Sequence, residues 1–464
     1  MVRNKLLMNS GLDYKYIKTI KYKNLFNWSF KYTINDSFKY NQSYELVNIG
    51  EFLKRNKTIV EIKDDNIYKR ITIKLYGKGV LVRDKEQGKN IGTKKQFITR
   101  QGQFILSRID ARNGAFGLVT NECDNGVITN DFWTFDIDTK IINPEFFVLL
   151  TSTKEFAEYC QNASSGTTNR QRISEETFLQ IKVPLPSLDT QKAIVENYNK
   201  KNIIANQQET KAQLLDLQAE KYIFNELGLN IIKFKKGNSF INFIKFSDIS
   251  LWGVDKMLGG DRFKSSKFKL HSINTNPQLY SELFRGKSPK YEDKSNTYIL
   301  NQKCIRWNYI ERKHVKSVSK LWLNTIDEKY FTKEGDILIN STGEGTIGRA
   351  SYIEKNNEGL LYDSHILLIR LNQRLINPIY FTILFNGTFG QEQINFIKSA
   401  QSTKQTELGI DNLKKIKFPI PELDLQNKIV EKYIKMETNI KTLKTKSEFN
   451  KGLARKEFEK ELFE

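Results

Sequence analysis

The sequence predicts an α+β protein in which two tandem-repeated mixed α/β domains are joined by two long helices forming an antiparallel coiled coil. Three observations predict it: an internal duplication, a Pro-x-Pro segment in each copy, and a long proline-free stretch after each Pro-x-Pro. The chain has 464 residues, of which 39% are hydrophobic. This length suggests two to four domains at roughly 100–200 residues per domain.

The duplication is clearest near the end of each copy. IKVPLPSLDTQKAIVENY (181–198) and IKFPIPELDLQNKIVEKY (416–433) align without a gap and are identical at 11 of 18 positions. Further matches occur upstream in the same order, so the chain contains two units of about 235 residues. The other paired segments are INPEFFVLL (142–150) with INPIYFTIL (376–384), GQFILSR (102–108) with GDILINS (335–341), and NGAFG (113–117) with EGTIG (344–348).

Each copy predicts the same order of elements. Runs rich in β-branched residues predict strands, Asn-Pro followed by an aromatic-aliphatic run predicts a helix, and a polar loop and a short strand lead into Pro-x-Pro. The strand-like runs are 70–82, 336–340 and 364–371, the helices are 144–160 and 378–398, and the Pro-x-Pro segments are Pro184–Pro186 and Pro419–Pro421. The predicted domain boundaries are 1–186, 187–228, 229–421 and 422–464, the second and fourth being the long helices.

The long helices are predicted from Leu188 to about Leu227 and from Leu423 to about Phe463. The second carries an apolar seam at alternating steps of four and three, which is typical of a coiled coil, and the first has a less regular one. The alternative is that each helix docks onto its own domain. The second seam is Ile429, Tyr433, Met436, Ile440 and Leu443; the first is Ile194 and Tyr198, interrupted by Lys201 and Gln208, then Leu214, Leu215, Leu217 and Tyr222.

The formal net charge of +21 indicates a polyanionic partner, because basic side chains near phosphates release condensed counterions. A membrane surface, an acidic protein, or a lysine bias of the genome are the alternatives. Three scattered cysteines, Cys123, Cys160 and Cys304, do not form a disulfide framework and fit a reducing cytoplasm. The chain lacks a run of about 20 apolar residues, so we expect a soluble cytoplasmic protein without membrane contact.

Several short motifs resemble cofactor-binding, catalytic or metal sites, but the surrounding sequence does not support these assignments. GEGTIG (343–348) has dinucleotide-binding spacing, but RASYIEKNN follows it and predicts a strand and turn rather than the required helix. YEDK (291–294), with Asp261 upstream, could belong to a nuclease, although such patterns arise often by chance. His271, His314 and His365 have no zinc-ligand spacing. We therefore expect no catalytic residue, metal or cofactor in this chain.

Basic residues interleaved with Tyr, Asn and Gln indicate a DNA interface, because these side chains contact phosphates and base edges. They concentrate in 74–95, 303–320 and two polar loops that follow equivalent helices, TTNRQR (167–172) and STKQT (402–406). The candidate DNA-binding residues are Lys74, Lys78, Arg83, Lys94, Lys95, Arg108, Arg112, Asn113, Thr168, Asn169, Arg170, Gln171, Arg172, Arg306, Asn308, Tyr309, Arg312, Lys313, Ser341, Thr342, Thr346, Arg349, Ser402, Thr403, Lys404 and Gln405.

The whole pattern resembles the DNA specificity subunit of type I restriction-modification systems. The resemblance rests on the two Pro-x-Pro helices and on the strings RITIKLYGKGVLVRD, SRIDARNGAFGLV, LNQKCIRWN and DILINSTGEGTIGRA. It implies two target recognition domains that read the halves of a bipartite, asymmetric site in double-stranded DNA, spaced by the coiled coil. It also implies two methylation subunits carrying S-adenosylmethionine and restriction subunits using ATP and magnesium. The alternatives are a stand-alone DNA-binding regulator or architectural protein, and a nuclease using Asp261, Glu292 and Lys294. The lysine-rich first 40 residues depart from the family pattern, and either an extra strand or a partner contact would explain them.

Overall fold

The computed structural model of the chain describes residues 40–163, 172–232, 262–343, 345–397, 399–400 and 406–464. The chain divides into unit 1, comprising residues 1–207 and 446–464, and unit 2, comprising residues 208–445. Residues 1–39, for which the sequence leaves open an extra strand or a partner contact, lie outside the described residues. Within the described ranges, no helix combines the length and the apolar character needed to cross a membrane.

Unit 1 contains two main sheets and the start of the first long helix. Its described elements are β1 (Leu46–Asn48), β2 (Leu53–Asn56), β3 (Ile59–Glu61), β4 (Ile67–Ile73), β5 (Val80–Gln87), β6 (Lys95–Ile98), β7 (Phe104–Ser107), β8 (Phe116–Leu118), β9 (Val127–Ile128), β10 (Phe132–Ile137), α1 (Pro144–Thr151), α2 (Lys154–Ala163), α3 (Glu175–Leu179), β11 (Lys182–Pro184) and α4 (Leu188–Leu227). The sheet orders are β2-β10-β7-β8, β3-β6-β9-β4-β5 and β1-β11.

The run 70–82, predicted as a strand, is divided between β4 and β5, which pair as an antiparallel hairpin. The chain reverses where Gly77 and Gly79 have φ of +66° and +91°, a conformation that glycine adopts without steric cost. Tyr76 shares this conformation at φ +61° and is 73% exposed. The hairpin tip is therefore a tight turn that presents an aromatic side chain to solvent.

Unit 2 repeats the architecture with a smaller second sheet. Its described elements are β12 (Leu229–Ile231), β13 (Phe263–Ser265), β14 (Leu270–Ser272), β15 (Tyr280–Arg285), β16 (Tyr298–Leu300), β17 (Lys316–Ser317), α5 (Lys320–Leu323), β18 (Asp336–Asn340), β19 (Ala350–Tyr352), β20 (Leu361–Tyr362), β21 (Ile366–Leu371), α6 (Pro378–Asn386), α7 (Thr388–Ile397), β22 (Ser399–Ala400), β23 (Thr406–Glu407), α8 (Ile410–Leu413), β24 (Lys417–Pro419) and α9 (Leu423–Phe463). The sheet orders are β15-β21-β18-β19, β17-β16-β20, β14-β24, β12-β13 and β22-β23.

The duplication predicted from sequence is present in the fold. The four-stranded sheet β15-β21-β18-β19 of unit 2 has the same order as β2-β10-β7-β8 of unit 1. Every neighbouring pair in both sheets is antiparallel. The predicted strands at 336–340 and 364–371 are confirmed as β18 and β21. The prediction of two tandem mixed α/β domains is therefore confirmed.

Each helix predicted after Asn-Pro is interrupted and forms two helices. In unit 1 the break falls between α1 and α2, where the hydroxyls of Ser152 and Thr153 donate to the carbonyls of Val148 (2.7 Å) and Leu150 (2.8 Å). Such side-chain bonds compete with continuation of the helix. In unit 2 the break falls at Gly387, between α6 and α7. The Asn-Pro starts are confirmed, with the asparagine capping the first turn in both copies.

The two long helices pair antiparallel, as predicted. In unit 1, Tyr198 of α4 packs edge-on against Phe458 of α9, with ring centroids 6.0 Å apart. In unit 2, Ile223 of α4 shares a buried cluster with Ile429 and Val430 of α9. Early α4 thus meets late α9, and late α4 meets early α9.

The seam of α4 is built differently from the prediction. Ala205, Ala212 and Ala219, spaced by seven residues, are at most 2% exposed and continue the buried face. Leu214 and Leu217, predicted in the seam, are 54% and 66% exposed, so their assignment was wrong. Because an alanine side chain is small, it is suited to the narrow space between closely packed helices, while the leucines point to solvent.

Candidate nucleic-acid interface

A buried glutamine fixes each Pro-x-Pro segment to the domain before it. In unit 2 the side chain of Gln426 is fully buried; its Nε2 donates to the carbonyls of Pro421 (2.8 Å) and Leu375 (3.0 Å), and its Oε1 accepts from the Asn377 amide (2.8 Å). Gln191 makes the same three bonds in unit 1, to the carbonyls of Pro186 and Ile141 and from the amide of Asn143. This glutamine clamp sets the direction in which each long helix leaves its domain.

The tip of the β4–β5 hairpin gathers several candidate residues in unit 1. Lys74 and Lys78 are exposed on either side of Tyr76. The Tyr76 amide donates to the Asn113 carbonyl (2.8 Å), which joins the tip to the 3-10 helix Ala111–Asn113 that contains Arg112. The Asn113 side chain is engaged with Asp110 (3.2 Å). The tip and the 3-10 helix therefore present Lys74, Lys78 and Arg112 from neighbouring segments.

Three further candidates of unit 1 lie on or next to the five-stranded sheet. They differ in whether their positive charge is already engaged within the fold. Lys94 donates to Asp64 (2.6 Å) and to the Gly88 carbonyl (2.8 Å), so its ammonium is committed to structure. Lys95 is exposed on β6. Arg83 is exposed where the β4–β5 register shifts, and its guanidinium contacts the adjacent Asp84 at 3.2 Å. Lys95 and Arg83 therefore present exposed positive charge on this sheet.

Two arginine side chains of unit 1 pack against the ring of Trp133. The guanidinium of Arg108 lies 4.6 Å from the centroid of its ring and that of Arg55 lies 5.4 Å away, distances typical of cation–π contacts. Burial lowers the pKa of Arg55 to about 10; Glu175 opposes this shift and Arg108 adds to it. Arg172 forms an ion pair with Asp131 (3.2 Å), two residues before the tryptophan.

The corresponding region of unit 2 is arranged around Ser341. Ser341 and Thr342 are buried, at 0% and 6% exposure. The Ser341 hydroxyl accepts from Arg285 (3.0 Å), whose guanidinium also pairs with Glu407. Thr342 shares a 2.8 Å hydrogen bond with Nδ1 of the exposed His365. Sequence reasoning did not name Arg285, Glu407 or His365 as candidate binding residues. Their polar side chains are the partly or fully exposed groups of this region.

The basic cluster 303–320 is largely neutralised within the domain. Arg306 donates to Glu311 (2.7 Å), and Lys313 pairs with the same carboxylate. These bonds lower the pKa of Glu311, with the Lys313 bond contributing most. Arg312 donates to Asn357 (2.8 Å). The charged groups of Arg306, Arg312 and Lys313 are therefore engaged in contacts within the domain.

Asn308 is a structural residue of unit 2 in this structure. It has φ +68°, and its side chain accepts from Asn386 of α6 (2.6 Å) and donates to the Tyr433 hydroxyl of α9 (3.4 Å). The side chain of its neighbour Tyr309 is 52% exposed. Asn308 therefore connects its loop to helix α6 and to the long helix α9.

The glycine turn at 343–348 is followed by a strand. Gly343, Gly345 and Gly348 have positive φ, and β19 begins at Ala350, which confirms the prediction that no helix opens there. The Thr346 hydroxyl donates to the Thr342 carbonyl (3.1 Å). Arg349 donates to the Gly345 carbonyl and lies 5.7 Å from the ring centroid of Trp307, which is 42% exposed.

Eight candidates of the two polar loops lie outside the described residues: Thr168, Asn169, Arg170, Gln171, Ser402, Thr403, Lys404 and Gln405. Asp261, named in the nuclease alternative, lies outside them too. In the part of the chain that the structure describes, no group of three His, Cys, Asp or Glu residues could hold a metal ion. All three cysteines are buried, and burial raises the pKa of the Cys160 and Cys304 thiols.

Comparison with known proteins identifies relatives for this arrangement. A family model described as type I restriction modification DNA specificity domain matches residues 41–214 and 281–448. A specificity subunit of a type I restriction enzyme, MjaX, of Methanocaldococcus jannaschii is 30% identical over 141 residues, which is 29% of this chain and 33% of that protein. The HindI specificity subunit of Haemophilus influenzae is 28% identical over 98 residues, 21% of each chain. These matches span a third or less of the curated relatives.

A solved chain of a type I restriction-modification system supports the fold. It aligns with 92% of this chain and 99% of its own length at a TM-score of 0.56 and 11% identity. At that identity the likeness concerns the fold alone. The family model, by contrast, matches one copy in each half and together well over half of the residues. The chain therefore belongs to the family of type I restriction-modification DNA specificity proteins.

Proposed function

We propose that this chain is the non-catalytic, sequence-specific DNA-binding subunit of a type I restriction-modification complex. Each unit contributes one target recognition domain, and the two domains read the two halves of a bipartite, asymmetric site in double-stranded DNA. The observation that carries the proposal is the duplicated sheet with its glutamine clamp, since two copies of one reading domain in a single chain suit a two-part target. The net charge of +21 supports a DNA partner.

The domain boundaries and contact residues belong to the same proposal. Recognition domains at 1–186 and 229–421 would alternate with spacer helices at 187–228 and 422–464. Among the candidates, we assign Arg83, Lys95 and the hairpin tip to phosphate contacts, because their charges are exposed. Arg108, Arg172 and the two polar loops are assigned to base contacts. Phosphate contacts position a protein on the duplex, whereas base contacts specify the sequence.

Exposed apolar side chains on the long helices favour a complex over a stand-alone regulator. In unit 1, Ile203, Ile204 and Phe449 are 55%, 48% and 68% exposed. In unit 2, Leu214 and Leu217 are similarly exposed. We assign these surfaces to two methylation subunits, which would carry S-adenosylmethionine, while restriction subunits would supply ATP- and magnesium-dependent translocation and cleavage. This assignment places the assembly in the cytoplasm with the DNA.

The test uses purified chain, with and without the methylation subunit of its own system. Methyl transfer to DNA should require both proteins, and transfer by this chain alone would contradict the proposal. Phe449→Ser and Ile203→Ser should each weaken binding of the methylation subunit about tenfold or more, because they remove apolar contact area. Leu321→Ser is the control: Leu321 is 80% exposed but lies on α5, whose hydrophobic cluster contains no residue of the long helices. Equal losses in all three variants would contradict the assigned surface.

A further inference from the structure

Three segments of unit 1 meet at one point, here called junction 1: Arg108 after β7, Asp131 before β10, and Arg172 at the end of the first polar loop. The Arg108 amide donates to the Asp131 carbonyl (2.8 Å), and the Ile173 amide donates to the Arg108 carbonyl (3.3 Å). The side chains of Arg172 and Asp131 form an ion pair with about 40% of each exposed. Junction 1 therefore combines fixed backbone with accessible charge.

Junction 2 is the equivalent point of unit 2, formed by Ser341 after β18, His365 before β21, and Glu407 after the second polar loop. The Ser341 amide donates to the His365 carbonyl (2.9 Å), and the Leu408 amide donates to the Ser341 carbonyl (2.8 Å). These are the two backbone hydrogen bonds of junction 1, repeated 233 to 235 positions later along the chain. The frame is thus the same in both units.

The side chains placed on this common frame differ in chemistry. Junction 1 presents the guanidinium of Arg172, held by the carboxylate of Asp131. Junction 2 presents the exposed imidazole of His365, whose Nδ1 is engaged by Thr342 and whose Nε2 makes no hydrogen bond among the described residues. An arginine fork matches the two major-groove acceptors of guanine, whereas an imidazole nitrogen makes a single hydrogen bond.

We propose that the two junctions are the specificity-determining centres of the recognition domains. Arg172 contacts a guanine edge in one half-site, with Asp131 as its positioning residue, and His365 contacts a base edge in the other half-site. This inference rests on the proposed function and deepens it. It accounts for how one duplicated fold reads an asymmetric target. The two units share the backbone frame but carry different side chains on it.

The proposal also gives a role to the polar loops that end at each junction. Each loop enters its domain at a backbone bond to the residue after the third strand of the sheet, through Ile173 or Leu408. The residue that follows each loop is thereby held at the junction, and we assign each loop to the same half-site as its junction. The two junctions keep the same backbone hydrogen bonds but differ in their exposed side chains. This combination favours a role in specificity over a purely structural role.

The experiment selects DNA from a library randomised in both half-sites, using chain assembled with its methylation subunits. Arg172→Lys and Asp131→Asn should each reduce the preference for a guanine in one half-site about tenfold and leave the other half unchanged. His365→Asn should do the converse. Arg374→Lys is the control, because Arg374 lies beyond the far end of β21, away from junction 2.

The possible outcomes separate the inference from the proposed function. If wild-type complex selects no bipartite sequence, the proposed function fails. If it does, but the junction variants keep both preferences, or lose affinity equally for all sequences, the junctions are structural and the inference fails. Thermal melting of each variant, expected to match wild type within about 2 °C, excludes unfolding as the cause of an altered preference.

Discussion

Replacing Gln426 by leucine is expected to lower the free energy of unfolding by about 3–5 kcal/mol. Leucine has a similar size but makes no hydrogen bond, so the Asn377 amide and the carbonyls of Pro421 and Leu375, which lie wholly or partly out of solvent, lose their partner. Each buried group left unpaired costs about 1–3 kcal/mol. The loss is large because one side chain serves three backbone groups where the long helix begins.

The measurement is the shift of the denaturant midpoint, with two matched variants. Gln191→Leu removes the equivalent clamp of unit 1 and should produce a loss of similar size. The two losses should add, because the clamps contact no common residue. Gln207→Leu, on the exposed face of α4, should leave the midpoint almost unchanged. A midpoint that stays in place for both clamp variants would show that the clamp is dispensable.

Replacing Arg370 by methionine is expected to destabilise the chain by about 3–5 kcal/mol at pH 8. Arg370 makes a bidentate ion pair with Asp336, with N–O distances of 2.7 and 2.8 Å, and also pairs with Glu282. The Asp336 carboxylate is fully buried in β18. Without Arg370 this charge stays buried without its counter-charge, which is more costly than removing the whole pair.

The destabilisation should depend on pH. Burial raises the pKa of Asp336, and in the wild type the two guanidinium bonds favour the ionised carboxylate. In the folded variant, Asp336 favours its protonated form, whereas in the unfolded chain the same carboxyl group ionises near pH 4. The variant should therefore be closest to wild type near pH 5 and lose stability as pH rises toward 8.

Two variants control this second prediction. Asp336→Asn combined with Arg370→Met removes the buried charge altogether and should recover part of the loss at pH 8. Arg455→Met breaks an exposed pair with Glu459 (2.7 Å) on α9 and should cost less than about 1 kcal/mol. A loss in Arg370→Met that is the same at pH 5 and pH 8 would contradict the account of a buried, uncompensated carboxylate.

The architecture could be predicted from sequence because the duplication repeats short signals in a fixed order. Asn-Pro at a helix start and Pro-x-Pro at a strand exit act locally, so Leu188 and Leu423 were predicted as the first residues of the long helices. The seam of α4 could not be found from hydrophobicity, because it consists largely of alanines, which only weakly indicate a buried position. Leu214 and Leu217 gave a stronger signal but lie on the exposed face.

The candidate site was only partly predictable, for a physical reason. Basic residues are visible in sequence, but their neutralisation is not: the bond from Lys94 to Asp64 and those between Arg306 and Glu311 depend on the tertiary fold. Asp131 and His365 were missed because the two copies carry different residues at this position. A comparison of the copies reveals what they share, as with Gln191 and Gln426, and therefore misses positions at which the copies differ.

The central claim is that each unit reads its own half of a two-part DNA target. The most direct measurement replaces residues 1–186 with a recognition domain of another specificity subunit and determines the methylated sequences in a host that carries the methylation subunit. The account predicts that one half of the target changes, while the other half is retained. A change in both halves, or an unchanged target, would contradict it.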